Sequence, residues 1–265
     1  ISNQLKISLI KTSNKSKIPH LGSCLSCLDI LVTLYWHVLK INTKDTSDLN
    51  RDRFVLSKGH AAPILFQILA LKGLIKSESI ENFGEDGSDF HEHPPKPGII
   101  SGIEAATGSL GHGLSMALGM AKAGKIQGKE FSVYVLIGDG ECNEGSIWEA
   151  ALVASAQKLN NLNVVIDYNK WQATGRSNEI TSLEPLEDKW QAFGWDVQTI
   201  DGHDFDQIKN ALKKRKPNNQ KPKLIVANTI KGKGISFMED DNNWHYKTPN
   251  QKELIEAIKE IKAEK

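Results

Sequence analysis

The sequence is poor in cysteine, with three in 265 residues. Three thiols cannot all pair with one another, which argues against a disulfide scaffold and for a reducing compartment. A strong charge of either sign is also missing. The 33 Lys and Arg against 32 Asp and Glu leave a formal net charge of +1, so there is no electrostatic reason to expect nucleic acid as a partner. No run of about 18 apolar residues occurs, and no membrane-spanning helix is expected. The start, Ile1-Ser2-Asn3-Gln4, lacks a basic stretch followed by an apolar core. No secretory signal is visible there, and a cytoplasmic location is expected. The chain does not begin with Met, so trimming at that end is allowed for. What remains is enough polypeptide for one large α/β domain over residues 1–265.

Hydrophobic patterning alternates between helical and strand periods. Ser23 to Leu39 reads as a strongly apolar helix, Pro63 to Lys72 as a second with proline in its first turn, and Thr107 to Lys125 as a third rich in small residues. Phe54 to Leu56, Phe131 to Ile137, Asn163 to Asp167, Asp196 to Ile200 and Leu224 to Thr229 read as strands apolar enough to be covered on both faces. A proline-rich loop runs from Phe83 to Gly102, and a charged amphipathic helix occupies about 250–265. Strands alternating with helices predict an α/β fold, a parallel β-sheet flanked by helices on both faces with right-handed crossovers. Ligands of such sheets bind outside the carboxyl ends of the strands.

Two strand ends carry the chemistry. Gly138-Asp139-Gly140-Glu141-Cys142-Asn143-Glu144-Gly145 follows one strand, and Asp167-Tyr168-Asn169-Lys170-Trp171 ends the next, thirty positions from Asp139 to Asn169. A carboxylate and an amide oxygen at neighbouring strand ends suit one hard cation, magnesium or alternatively calcium or manganese, in a shell shared with phosphate oxygens. Gly140 leaves room for backbone N–H to approach a phosphate, and the following helix offers its positive end. Alone, an Asp-Gly pair after an apolar run is usually a turn. The second half, with Asp167 placed to orient Asn169, is what argues for a site.

Cys24 and Cys27 form a C-x-x-C, but they lie in a continuous apolar helical pattern and no second cysteine pair completes a metal site. They read as small buried hydrophobes, and Cys142 has no evident activating partner. Of eight histidines, His37 and His91 read as structural. His20, His60 and His93 sit beside glycine or proline in loops, where rigid backbone can aim an imidazole. Imidazole donates or accepts, which suits sugar hydroxyls and proton shuttling.

The pattern from Gly138 to Asn169 resembles the thiamine diphosphate motif, and the chain resembles the N-terminal half of transketolase along nearly its whole length. The matching segments are Arg51 to His60, Thr107 to Gly113, Gly138 to Ala150, Lys189 to Trp195, Asp201 to Asp204 and Thr229 to Gly234. The resemblance implies that Asp139 and Asn169, with the backbone carbonyl of Trp171, bind the metal. Gly140, Glu141, His60 and His245 correspond to positions beside the diphosphate of thiamine diphosphate, and Gly108 and Leu110 to groups against its rings. His20 and His93 correspond to histidines at the substrate's first carbons, and Glu144 to a glutamate coupling the two cofactor sites of a dimer. Two departures stand out. The family's His-Pro-Gly-Gly is here His20-Leu21-Gly22-Ser23, and His112 falls where glutamine is common.

The implied activity is transfer of a two-carbon ketol group from a ketose, expected to be a phosphate, to an aldose in pentose phosphate metabolism. In this family the cofactor's pyrimidine is activated by a glutamate of a separate, pyrimidine-binding domain, which also holds the sugar phosphate. The sequence supplies no such domain. The expected partner is therefore a C-terminal, pyrimidine-domain transketolase subunit in a heterotetramer of two plus two, although a piece of a longer chain is an alternative. Other readings are the alpha subunit of a 2-oxo acid dehydrogenase, a 1-deoxyxylulose-phosphate-synthase-like enzyme, and an inactive regulatory subunit. Ser57 to His60 and Thr107 to Gly113 fit the dehydrogenase poorly, and a decayed site would have no need of Asp139, Asn169, Gly140 and His60 together.

Overall fold

Five short apolar segments pair into one parallel sheet: β1 (Arg53–Leu56), β2 (Val133–Gly138), β3 (Leu162–Tyr168), β4 (Asp196–Asp201) and β5 (Lys223–Asn228), in the spatial order β1-β2-β3-β5-β4. The structure, a computed structural model, describes residues 1–213 and 219–263. Among them, ten α-helices are α1 (Ser2–Ser16), α2 (Leu21–Ser26), α3 (Leu28–Thr33), α4 (Ala62–Lys72), α5 (His112–Ile126), α6 (Gly145–Ala156), α7 (Ser177–Ile180), α8 (Leu186–Ala192), α9 (Phe205–Lys213) and α10 (Gln251–Ala263). None is long and apolar enough to cross a membrane.

Successive strand side chains point to opposite faces, and here each face has its own core. Leu56, Tyr134, Leu136, Val165 and Ile225 join the layer formed by α1 to α4, α9 and α10. Val133, Val135, Ile137, Val164, Ile166 and Val226 join the layer of α5, α6 and α8. The expected sheet with helices on both faces is thus present, and double burial explains why β2 and β3 read as unbroken apolar runs.

Three boundaries differ from expectation. The apolar run from Ser23 to Leu39 is not one helix. It divides at Cys27 into α2 and α3 and closes in a π-helical turn, Leu34–Val38. The run is buried on every side from Leu21 to Tyr35, so no polar face marked the break. The segment from Thr107 becomes helical only at His112, because Gly108 and Gly111 adopt positive φ, 151° and 85°. Strand β4 is an edge strand whose inner residues Gln198 and Thr199 are exposed, and it is not covered on both faces. The C-terminal helix is described to Ala263, and positions 264 and 265 lie outside the described residues. Helix α1, absent from the pattern reading, buries Leu5, Leu9 and Ile10 against α4 and α10.

All three cysteines are free and buried. Burial pushes the Cys24 thiol up to about 12 and raises Cys27 and Cys142 as well, the behaviour of packing residues. The core makes one quantitative demand. Leu136 is fully buried between β1 and β3. Its replacement by alanine is expected to cost about 2–5 kcal/mol, read as a shifted urea midpoint at unchanged slope.

Candidate active site

The carboxyl ends of β1, β2, β3 and β5 converge on a cavity of about 440 Å³. At its base lies a buried ion pair. Lys58, just beyond β1, donates to Asp167 near the end of β3, and both side chains are almost wholly enclosed. The Lys58 ammonium also donates to the Ser23 carbonyl at 3.0 Å. Asp167 further accepts from the hydroxyls of Ser26 (2.6 Å) and Thr229 and, at 3.3 Å, from the Asn169 amide. Burial pushes the Asp167 carboxyl up, but the Lys58 charge and these hydrogen bonds outweigh it and hold it below the usual range. The converse holds Lys58 above its own.

This network decides which way Asn169 faces. With Nδ2 donating to Asp167, Oδ1 is the opposite end of the amide, and it accepts the Trp171 backbone N–H at 3.0 Å. Asp139, 1% exposed, accepts from the Ser177 hydroxyl at 2.8 Å and from the Gly140 N–H at 2.9 Å. Burial, reinforced by Asp167, pushes its carboxyl up to about 6. A carboxylate and an amide oxygen at adjacent strand ends fit a hard cation. Among the described residues no cluster of three or more His, Cys, Asp or Glu is arranged to hold a metal by itself, so phosphate or water oxygens must complete such a shell. Two buried polar atoms of residues lining the cavity, His20 Nδ1 and Gln172 Nε2, have no hydrogen-bond partner, which fits a polar ligand.

The histidines gather on the other wall. His20 lies with ring centroids 5.3 Å from His60, 5.1 Å from His245 and 6.5 Å from His93. Burial lowers His20 to about 4, helped by His93, Lys231 and Lys58, and lowers His245 to about 3, helped by Lys231. His60 is also held well below its ordinary value, first by burial and then by Lys58. These rings are neutral imidazoles at neutral pH. Gly108, Leu110, Gly140, Glu141, Glu144, Trp171 and Tyr246 complete the lining. Gly108 needs its positive φ, and a Cβ there would stand 2.9 Å from the His93 ring. All twelve residues singled out as site residues therefore line one cavity, whereas His37, His91 and His112 are exposed outside it.

Local geometry refines several expectations. Gly140 opens a short 3-10 turn, Gly140–Asn143, and α6 begins only at Gly145. The α-helical N-terminus is therefore five residues beyond Gly140. Both carboxylate oxygens of Glu141 have internal donors, Ser57 and Gly111 on one and Gly138 on the other, so it ties three segments together beneath the cavity. Glu144 is exposed. The Trp171 loop is pinned by Arg176, whose guanidinium stacks 3.8 Å over the indole and pairs with Asp240 at 2.6 Å.

Pattern reading did not mark Lys231, Gln172 or Ser177. The only sequence signal for Lys231 is a lysine that interrupts the approach to paired glycines, Lys231-Gly232-Lys233-Gly234. Two matching segments prove structural. His203 donates from Nδ1 to Asp29 (3.0 Å) and accepts the Ile230 N–H on Nε2 (2.9 Å), anchoring the loop after β5. Trp190 and Trp195 stack at 4.9 Å behind α6.

Comparison with known proteins converges on one family. Residues 1–263 match the model of the transketolase thiamine diphosphate-binding domain. One of two subunits named for an apulose-4-phosphate transketolase, from Phocaeicola vulgatus, is 41% identical over 96% of this chain and 89% of its own length. A 6-deoxy-6-sulfo-D-fructose transketolase subunit of a Clostridium species is 41% identical over 99% and 95%. Among solved structures, the transketolase of Leishmania mexicana superposes with a TM-score of 0.93 at 26% identity, and that of Campylobacter jejuni with 0.89 at 32%. This chain spans 98% of itself but only 40% and 41% of those two longer chains.

The ion pair under the cavity supplies a stability test. Lys58→Met leaves Asp167 charged and buried without its cation, and is expected to destabilise by about 3–5 kcal/mol. Chemical denaturation of the purified chain measures it.

Proposed function

The chain belongs to the transketolase thiamine diphosphate-binding family, and on that premise we propose that it is the diphosphate-binding subunit of a two-polypeptide transketolase. In this reading it is a transferase that moves a two-carbon ketol group from a ketose to an aldose. The observation that carries the proposal is the meeting of Asp139, Asn169 and four histidines around one cavity at the strand ends. Two relatives named as transketolase subunits match over nearly their whole lengths, which supports division of the enzyme between polypeptides.

Thiamine diphosphate, when bound, supplies the nucleophilic carbon and electron sink that cleavage of a C–C bond requires. The residues of this chain position and polarise. Asp139 and Asn169, with the Trp171 carbonyl, hold a divalent cation, magnesium or alternatively calcium or manganese, that bridges to the diphosphate. His60, His245, Gly140 and the loop held by Glu141 receive the diphosphate itself, and Gly108 and Leu110 pack on the cofactor rings. Neutral imidazoles of His20 and His93 accept and donate hydrogen bonds at the sugar's first hydroxyls and move protons there.

The partner subunit carries the pyrimidine-binding domain, two of each chain assemble, and exposed Glu144 lies at the contact that couples the two sites. Residues 1–265 form a single domain in this reading, acting in the cytoplasm in pentose phosphate or related sugar metabolism. The relatives' names differ in the charged end of the sugar, 4-phosphate in one and 6-sulfo in the other. That end is assigned to the partner, and the ketol end to this chain.

Two outcomes are expected. The isolated chain shows no ketol transfer and gains it with a pyrimidine-domain subunit, thiamine diphosphate and magnesium; full turnover without a second polypeptide would refute the division. Asp139→Ala weakens magnesium-dependent cofactor binding to the assembled enzyme by more than the roughly 10–100-fold typical of an outer-shell residue. Calorimetry that finds unchanged affinity would remove Asp139 from its assigned role.

A further inference from the structure

Lys231 differs from the other buried cation of the site. Lys58 has a carboxylate partner in Asp167. Lys231, fully enclosed just after β5, meets neutral groups: its Nζ stands 2.7 Å from Asn242 Oδ1 and 2.8 Å from His245 Nδ1. A buried ammonium is costly unless acceptors take its hydrogens.

The hydrogen-bond directions follow from the surrounding groups. Asn242 Nδ2 donates to the Ala173 carbonyl at 3.1 Å, so Oδ1 is the end toward Lys231 and can only accept. An ammonium has three donors and no acceptor. Toward His245 it therefore donates again, and Nδ1 must be the unprotonated nitrogen. A neutral imidazole in that state carries its proton on Nε2. With Nδ1 occupied on the enclosed side, Nε2 is the nitrogen left to the cavity that the ring lines.

Both partners are held in place. The Lys231 stem passes over Gly22, where a Cβ would stand 3.1 Å from its Cγ; this glycine is the one kept from the family's His-Pro-Gly-Gly run. The Lys231 carbonyl accepts the Asp240 N–H at 2.8 Å, and the His245 carbonyl accepts the His20 N–H at 2.8 Å.

We propose that Lys231 is a positioning residue that holds His245 in its Nε2–H tautomer, so that this wall of the cavity presents an N–H donor to a ligand oxygen. The identity of that oxygen, a diphosphate oxygen, rests on the functional reading above. The tautomer does not. Through Asn242 and Ala173 the same ammonium also braces the loop from Asn169 to Ser177, so the histidine wall and the metal wall share one support.

The test uses the full chain with 15N-labelled histidine, His245 being assigned by its loss in His245→Gln. At neutral pH and without ligand, the ring is expected to show an unprotonated Nδ1 and a protonated Nε2. Lys231→Met, close in length but without a donor, should mix the tautomers. Lys231→Gln, which keeps an N–H, should retain the wild-type pattern. Both variants remove the charge, so their difference isolates the donor. Calorimetry with thiamine diphosphate and magnesium on the assembled enzyme should show Lys231→Met binding about tenfold more weakly than Lys231→Gln. A wild-type ring protonated at Nδ1, or a Lys231→Met ring with the wild-type pattern, would overturn the proposal. If the tautomer responds as expected but the wild-type enzyme binds no thiamine diphosphate, the Lys231 inference stands and the functional reading falls.

Discussion

The buried pair of Lys58 and Asp167 is the constraint on which the site depends. It joins the ends of β1 and β3 and takes in Ser23 and Ser26 of α2, Thr229 beyond β5 and Asn169 at the cavity. An enclosed carboxylate tolerates no idle lone pair, and every donor around Asp167 is consequently fixed in direction. Asn169 inherits its orientation from that requirement. The parallel sheet brings these residues together because it collects all its carboxyl ends on one edge.

Burial then tunes the two walls in opposite directions. On one, desolvation and the Asp167 charge disfavour ionised Asp139. On the other, desolvation and the lysine charges keep His20, His60 and His245 neutral. A divalent cation bound to an anion relieves the first wall and finds hydrogen-bonding groups, rather than fixed charges, on the second. Lys231 belongs to the same balance: burial, with Lys58 nearby, brings it down to about 8, yet its acceptors favour the ammonium.

Much of this was legible from residues alone, and the misses have physical causes. The five strands were readable because both faces of the central ones are buried, so apolarity runs unbroken. The same uniform burial hid the break at Cys27, where no polar face records the turn. Thr107 to Gly111 contains two glycines whose positive φ delays the helix, a backbone property that the small-residue pattern does not display. Glu141 looked like a ligand-facing residue because it follows Asp139 and Gly140, but Ser57 and Gly111 lie far off in sequence and only the fold brings their donors to its carboxylate.

The sequence by itself determined the chemistry available: a carboxylate and an amide after apolar strands, histidines in glycine- and proline-bounded loops, and a family resemblance spread over six segments. These are local or ordered patterns, set by residue type and spacing. Only the tertiary structure decided how those groups are aimed and charged. The partners of Asp167, the proton on His245 and the duty of Glu141 all depend on contacts between distant segments, and desolvation, which sets each charge state, is a property of the enclosing fold rather than of any residue within it.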